Sequence, residues 1–278
     1  MSYNSNEFKY YLLGPPRLQS HEKDVKLPYL KTEALLSYLT VTQKRHSREQ
    51  LATLLWGNTD DRRARNNLRS ALYALRKNIT PDILLTNQQF VAIKSEIIWT
   101  DVNQLREIIK ADQAQIDEIQ QSLELWRGPF LDGLSIPDTP VFDDWISWER
   151  QCLERTYRRG WLRLSQLHLN RGNLESAREA AEFLIQLDPL AEKSHRLLMR
   201  IYLMEGDRSS ALQHYEKLRQ DLKGELGVEP DPATQALHRK ALNIRKFSET
   251  TEDIDEISCG TTPTSLTFVG RQQELQSL

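Results

Sequence analysis

Six pairs of similar residues recur 34 positions apart in the second half of this chain. A fixed period of this length indicates that one supersecondary unit occurs twice and that the copies stack on each other. In each copy a glycine follows an apolar segment, as at many helix ends, and an alanine comes soon after it, where a second helix can approach closely. The matching pairs are Leu164 and Leu198, Leu167 and Ile201, Leu169 and Leu203, Gly172 and Gly206, Asn173 and Asp207, and Ala177 and Ala211.

This period predicts a tetratricopeptide-like array of antiparallel helix pairs. The long helical run that precedes it is expected to break near Gly160, and a last helix is expected to start at Pro232. We therefore expect residues 101–246 to form an all-α domain. Residues 247–278 begin with a polar, acidic stretch that is poor in large apolar side chains and predicts a flexible linker.

The chain is long enough for about two domains. Of its 278 residues, 39% are hydrophobic, which is ample for packed cores. Five tryptophans lie among apolar positions of predicted helices, and core packing is the expected role for Trp56, Trp126, Trp145, Trp148 and Trp161.

Residues 1–100 differ from the rest of the chain in charge and in pattern. They carry 15 Lys and Arg against 9 Asp and Glu, a net charge of +6, whereas residues 101–278 carry −8. Short extended segments come first, three amphipathic helices follow, and the segment "DILLTNQQFVAIKSEIIWTD" predicts two strands around a polar turn. Ser47 and Gln50 have the spacing of a capping box at the start of the second helix. This order predicts a winged helix-turn-helix over residues 7–100, so the expected fold class is mainly α with a small β component.

The third of these helices, "RRARNNLRSALYALRK", has six basic residues and no acidic one. Leu68, Leu72, Leu75 and Ile79 share one stripe of it. In a winged helix-turn-helix the opposite face points outward and can meet the phosphates and base edges of DNA. The side chains expected to do so are Arg62, Arg63, Arg65, Asn66, Arg69, Ser70, Tyr73 and Lys77.

Several other classes of protein are disfavoured by the sequence. It has no secretory signal and no apolar run of the roughly 18 residues that a membrane helix needs. Cys152 and Cys259 have no metal-ligand spacing, the histidines are scattered, and neither a phosphate-binding loop nor a nucleophile elbow is present. We therefore expect a cytoplasmic protein with no catalytic site, no cofactor and no metal.

Three segments resemble a known family. "LLWGNTDDRRARNNLRSALYALRK" is similar to the recognition region of the response-regulator type of winged helix, as used in SARP-family activators. "LWRGPFLDGL" and "GELGVEPDPATQAL" resemble signature segments of the bacterial transcriptional activator domain. Together the two domains cover about residues 7–245. The resemblance implies a sequence-specific activator whose winged helix binds direct repeats in double-stranded promoter DNA and whose recognition helix spans about Asp61 to Asn78.

The resemblance also implies partners and a location. The helical domain would contact RNA polymerase holoenzyme or a second protomer, and the protein would associate with the nucleoid. The wing departs from the family pattern, because its turn "TNQQF" has neither glycine nor arginine. Lys94 is the nearest cation and is the expected DNA contact of the wing.

"TFVGRQQEL", near the end of the sequence, resembles the entry to a STAND-type ATPase module. The resemblance implies that the phosphate-binding loop would follow Leu278, so we expect either an N-terminal fragment or a truncated product. Two other functions stay open on the residues alone. One is a tetratricopeptide-like adaptor whose winged helix binds protein rather than DNA, and the other is a regulatory part of a nucleotide hydrolase. The all-basic outer face of the third helix favours the DNA-binding activator.

Overall fold

Residues 7–100 form a winged helix-turn-helix, in which strands, three helices and a hairpin follow each other as the sequence predicted. The computed structural model describes residues 7–252, with side chains up to residue 244. The elements of this part are β1 (Phe8–Tyr11), β2 (Arg17–Ser20), β3 (Lys23–Asp24), α1 (Leu30–Thr42), β4 (His46–Ser47), α2 (Arg48–Trp56), α3 (Asp61–Asn78), β5 (Leu84–Thr86), β6 (Phe90–Ile93) and β7 (Ile98–Thr100).

These strands form two small sheets. One has the order β3-β2-β1-β7, in which β7 runs parallel to β1 and Tyr10 lies opposite Thr100. The other has the order β4-β6-β5, and its β5–β6 hairpin is the wing. The sequence predicted two strands after α3, whereas the structure has three, because β7 leaves the wing and completes the first sheet.

The rest of the described chain is helical. Gly172 and Gly206 follow the first helix of each repeated pair with φ of 78° and 79°, a conformation that glycine adopts without steric cost. Ala177 and Ala211 are fully buried, so the predicted close helix packing is confirmed. The helices are α4 (Asp101–Lys110), α5 (Ile116–Glu124), α6 (Pro140–Asn170), α7 (Leu174–Leu187), α8 (Glu192–Met204), α9 (Arg208–Glu225) and α10 (Pro232–Glu252).

The last helix runs further than the sequence predicts. It continues to Glu252 and therefore covers the first residues of the segment predicted as a linker. The remainder of that segment, residues 253–278, and with it the stretch that resembles an ATPase entry, lies outside the described residues.

The predicted interruption of α6 at Gly160 is wrong. The helix passes through this residue without a break. A Cβ atom at position 160 would stand 2.7 Å from Ile109 Cδ1 and 2.7 Å from Leu123 Cδ2. Glycine is therefore explained by the close approach of α4 and α5 to α6, which a single-sequence pattern cannot show.

The predicted core position of Trp148 is also wrong. Its side chain is 58% exposed on the outer side of α6. Trp126, Trp145 and Trp161 do pack against the main core, and Trp56 is buried within it. Apolar neighbours along a helix do not tell which of its sides another element covers, and here the side that carries Trp148 is left to solvent.

The winged helix and the first helices of the all-α part share one hydrophobic core, which extends from Phe8 to Leu164. Asp101, the first residue of α4, links this helix to the chain that follows β1. Its carboxylate is fully buried and accepts hydrogen bonds from the backbone N–H groups of Leu12, Leu13 and Val102 at 2.8–2.9 Å. Burial raises the pKa of this carboxyl group, although the N–H donors and the guanidinium of Arg127 act in the opposite direction.

Candidate nucleic-acid interface

Helix α3 is held by its apolar side and by a side-chain cap. Asp60 Oδ1 accepts from the backbone N–H of Arg63 at 3.0 Å, which satisfies one of the free donors of the first turn. Asp61 at the positive start and Lys77 at the negative end both suit the helix dipole. The side chains that fix its orientation by burial are Ala64, Leu68, Ala71, Leu72, Ala74 and Leu75.

This burial leaves a broad polar face in solvent. The eight α3 residues predicted to contact DNA are all exposed: Arg62, Arg63, Arg65, Asn66, Arg69, Ser70, Tyr73 and Lys77. Tyr73, with 66% of its side chain exposed, lies in the middle of the face. Arg63 is the member that has an acidic neighbour, with its Nε 3.2 Å from Asp60 Oδ2. Among the described residues, the other four cations of this group make no ion pair, so their charge is available to an outside partner.

The wing is held against α3 and α2 by two arginines. Arg76 Nη2, from the last turn of α3, donates to Thr86 Oγ1 at 2.6 Å. Arg48 Nε, from the first turn of α2, donates to the carbonyl oxygen of Asn87 at 3.1 Å. The turn itself is closed by Asn87 Oδ1, which accepts from the backbone N–H groups of Gln89 and Phe90.

Lys94 is not brought to the tip of the wing. In the register of the hairpin Ile93 lies opposite Leu84, so Lys94 stands at the end furthest from the turn. Its backbone N–H donates to the carbonyl oxygen of Ile83, and its Nζ lies 3.9 Å from Asp82 Oδ1. Lys94 is half-buried beside an acidic neighbour, whereas the α3 cations that were predicted to contact DNA are exposed.

A cleft between α3, the wing tip and the start of α2 contains residues outside the set predicted from the sequence. Arg48, Gln88 and Gln89 line it together with the predicted Arg65 and Arg69. The cleft arises because β4 pairs with β6, with Ser47 opposite Phe90, and so brings the start of α2 to the wing. A two-residue strand has no recognisable sequence pattern, and Arg48 and Asn87 are 39 residues apart in the chain. The remaining lining residues are Ser47, Glu49 and Leu68.

The start of α2 is itself well fixed. Ser47 Oγ accepts from the backbone N–H of Gln50, and Gln50 Oε1 accepts from that of Ser47, so the predicted capping box is confirmed. His46 lies just before it, buried, with its Nε2 2.7 Å from Thr42 Oγ1. Burial and the neighbouring Lys44 lower the pKa of His46.

Within residues 7–244, whose side chains the structure describes, no group of three or more His, Cys, Asp or Glu side chains is placed to hold a metal ion. No helix in the same range is long and apolar enough to cross a membrane.

Comparison with known proteins agrees with this architecture. The family model of the bacterial transcriptional activator domain matches residues 101–242. The regulatory protein AfsR of Streptomyces coelicolor is 25% identical over 250 residues, which cover 86% of this chain and 24% of AfsR. The transcriptional regulatory protein MoaR1 of Mycobacterium tuberculosis is 24% identical over 259 residues, which cover 84% of this chain and 79% of MoaR1. The chain thus spans about a quarter of the length of AfsR and most of that of MoaR1.

One solved structure has the same fold. Mycobacterium tuberculosis EmbR, determined in complex with a low-affinity phosphopeptide, superposes with a TM-score of 0.68 at 20% sequence identity. The superposition covers 90% of this chain and 71% of EmbR. It extends over both the winged helix and the helical part.

Proposed function

This chain belongs to the family of proteins with a bacterial transcriptional activator domain, and we propose that it regulates transcription by binding DNA through α3. The observation that carries the proposal is the outer face of α3, where Arg62, Arg65, Arg69 and Lys77 are exposed and make no ion pair among the described residues. Unpaired cations on one helix face suit the phosphates of DNA, because each phosphate contact releases counterions. A protein-binding adaptor would have no need of such a face.

The residues of this face have separable roles. Asn66 lies in the N-terminal half of α3, which is the part that reaches base edges in helix-turn-helix proteins, and its amide can pair with adenine. Lys77, in the last turn, is a point charge suited to a phosphate. Specificity is therefore assigned to Asn66 and general affinity to Lys77.

The helical part supplies the second half of the function. On this proposal the protein is an activator that binds direct repeats at a promoter, where α4–α10 contact RNA polymerase or an adjacent protomer. Direct repeats relate neighbouring protomers head to tail, so the two contacting surfaces would differ from each other. The proposal places the protein in the cytoplasm, on the nucleoid.

The experiment is a binding titration of Asn66→Ala and Lys77→Ala at several salt concentrations, on a site obtained by in vitro selection and on scrambled DNA. Asn66→Ala should lower affinity for the selected site by about 1–3 kcal/mol and relax preference at one base pair. Lys77→Ala should weaken binding to both DNAs alike and reduce the salt slope by about one unit. Lys240→Ala, which removes an exposed lysine from α10, is the matched control and should change neither quantity. Salt-independent or absent binding by the wild type would favour the adaptor function.

A further inference from the structure

The wing tip of this protein carries no cation, but a cation from another element reaches it. The turn offers the neutral amides of Gln88 and Gln89, while Arg48 extends from the first turn of α2 to the carbonyl oxygen of Asn87. This single hydrogen bond occupies the Nε–H of the guanidinium. The four N–H bonds on its two Nη atoms have no hydrogen-bond acceptor among the described residues.

The opposite wall of the same cleft carries Arg65 and Arg69 from α3. Neither makes an ion pair within the described part of the chain. Glu49 is the acidic residue in the lining, so three positive charges and one negative charge surround the cleft. Guanidinium groups bind phosphate oxygens in a two-pronged geometry, and glutamine amides donate to phosphate as well.

We propose that this cleft holds one phosphodiester group of the bound DNA and that Arg48 has two tasks in it. Its Nε fixes the wing through Asn87, and its Nη atoms bind the phosphate together with Arg65 and Arg69. The inference rests on the proposed DNA binding and adds Arg48, Gln88 and Gln89 to the interface. It explains how a wing without a basic residue contributes to binding, because the charge comes from α2.

The two tasks make the phosphate contact depend on the position of the wing. If the wing moves away from α2, the Arg48 side chain loses its anchor and the amides of Gln88 and Gln89 leave the cleft. A long arginine that is held at Nε loses less side-chain entropy on binding than a free one does, which favours a contact prepared in advance.

The test measures DNA affinity at several salt concentrations and hydrogen exchange of the wing-turn amides, in three variants of the chain and in one control variant. Arg48→Ala should lower affinity about tenfold on the selected site and on scrambled DNA alike, reduce the salt slope by about one unit and speed exchange at Gln89 and Phe90. Arg48→Lys should keep the salt slope, because the charge remains. Glu49→Gln should raise affinity for both DNAs. Arg239→Ala removes an exposed arginine from α10 and is the control for net charge alone.

The outcomes separate this inference from the proposed function. Wild-type protein that shows no salt-dependent DNA binding overturns both. If the wild type binds DNA and Arg48→Ala leaves the salt slope unchanged, the inference alone is overturned. The same holds if Arg48→Lys lowers the slope as much as Arg48→Ala does. Unchanged exchange at the wing turn in Arg48→Ala overturns the anchoring task. Inorganic phosphate, added at constant ionic strength, should not slow wing exchange; protection by phosphate alone would assign the cleft to a free anion instead of DNA.

Discussion

In the second repeat, a single histidine, His214, which contacts His195, makes the stability of the protein depend on pH. His195 Nε2 lies 2.8 Å from the carbonyl oxygen of Pro189. A carbonyl oxygen can only accept, so Nε2 of His195 carries the proton. Nδ1 of the neutral ring then accepts a hydrogen bond from His214 Nε2 at 2.9 Å. Burial, with the neighbouring His195 as the next cause, lowers the pKa of His214 to about 4. Lys217 acts in the same direction and Asp221 opposes it.

This pKa predicts a loss of stability in mild acid. The folded pKa lies below the value of about 6.5 for an unfolded histidine, so between those values the unfolded chain binds a proton that the folded chain does not. The free energy of unfolding should therefore fall by about 1–2 kcal/mol from pH 7 to pH 4.5 on account of His214, after allowance for its partial exposure. Urea unfolding of wild type and His214→Gln at both pH values measures the difference. An equally steep fall in the variant would contradict the prediction.

Among the elements, the helix pairs of the repeat depend on small residues at their closest approach. Ala211 of α9 is fully buried, at the position equivalent to Ala177 of α7. Ala211→Leu should overpack the array and lower the free energy of unfolding by about 1–3 kcal/mol. Ala233→Leu makes the same change at an exposed position of α10 and should cost far less. Equal melting temperatures for the two variants would show that the helices can separate without cost.

Helix limits and caps could be predicted from the sequence because they depend on residues close by in the chain. The limits of α3, the capping box of Ser47 and Gln50, and the glycines of the repeat follow from neighbours within one or two turns. The lining of the candidate site could be predicted only in part, because Arg48 reaches the wing through a tertiary contact. Gly160 and Trp148 were misassigned for the same reason, since the first depends on packing from α4 and α5 and the second on which side of α6 stays uncovered.

In the whole molecule, the winged helix-turn-helix and the helical part meet around Asp101. An asparagine there keeps one acceptor oxygen but turns an NH₂ group toward backbone N–H donors of Leu12 and Leu13. Asp101→Asn should therefore lower the free energy of unfolding by about 1–3 kcal/mol, because a buried donor loses its partner. Since the core is shared, exchange protection should fall together in α3 and in α6.

The matched control is Asp112→Asn, which alters an exposed aspartate in the loop after α4. It should leave melting temperature and exchange unchanged. If Asp101→Asn loosened only one of the two regions, they would be separate cooperative units despite the continuous core.

The chain enters the winged helix-turn-helix through β1 and leaves it through β7, and these strands lie side by side. A module whose two ends coincide can be inserted or exchanged in evolution with little disturbance to its host. Here the exchange is restricted by packing between the module and the helical part and not by the chain ends. Tyr38 of α1 packs on Trp145 of α6, with ring centroids 4.9 Å apart. On the proposed function, we therefore expect related proteins to acquire new target sequences by substitution on α3, with the winged helix-turn-helix inherited together with the helices it covers.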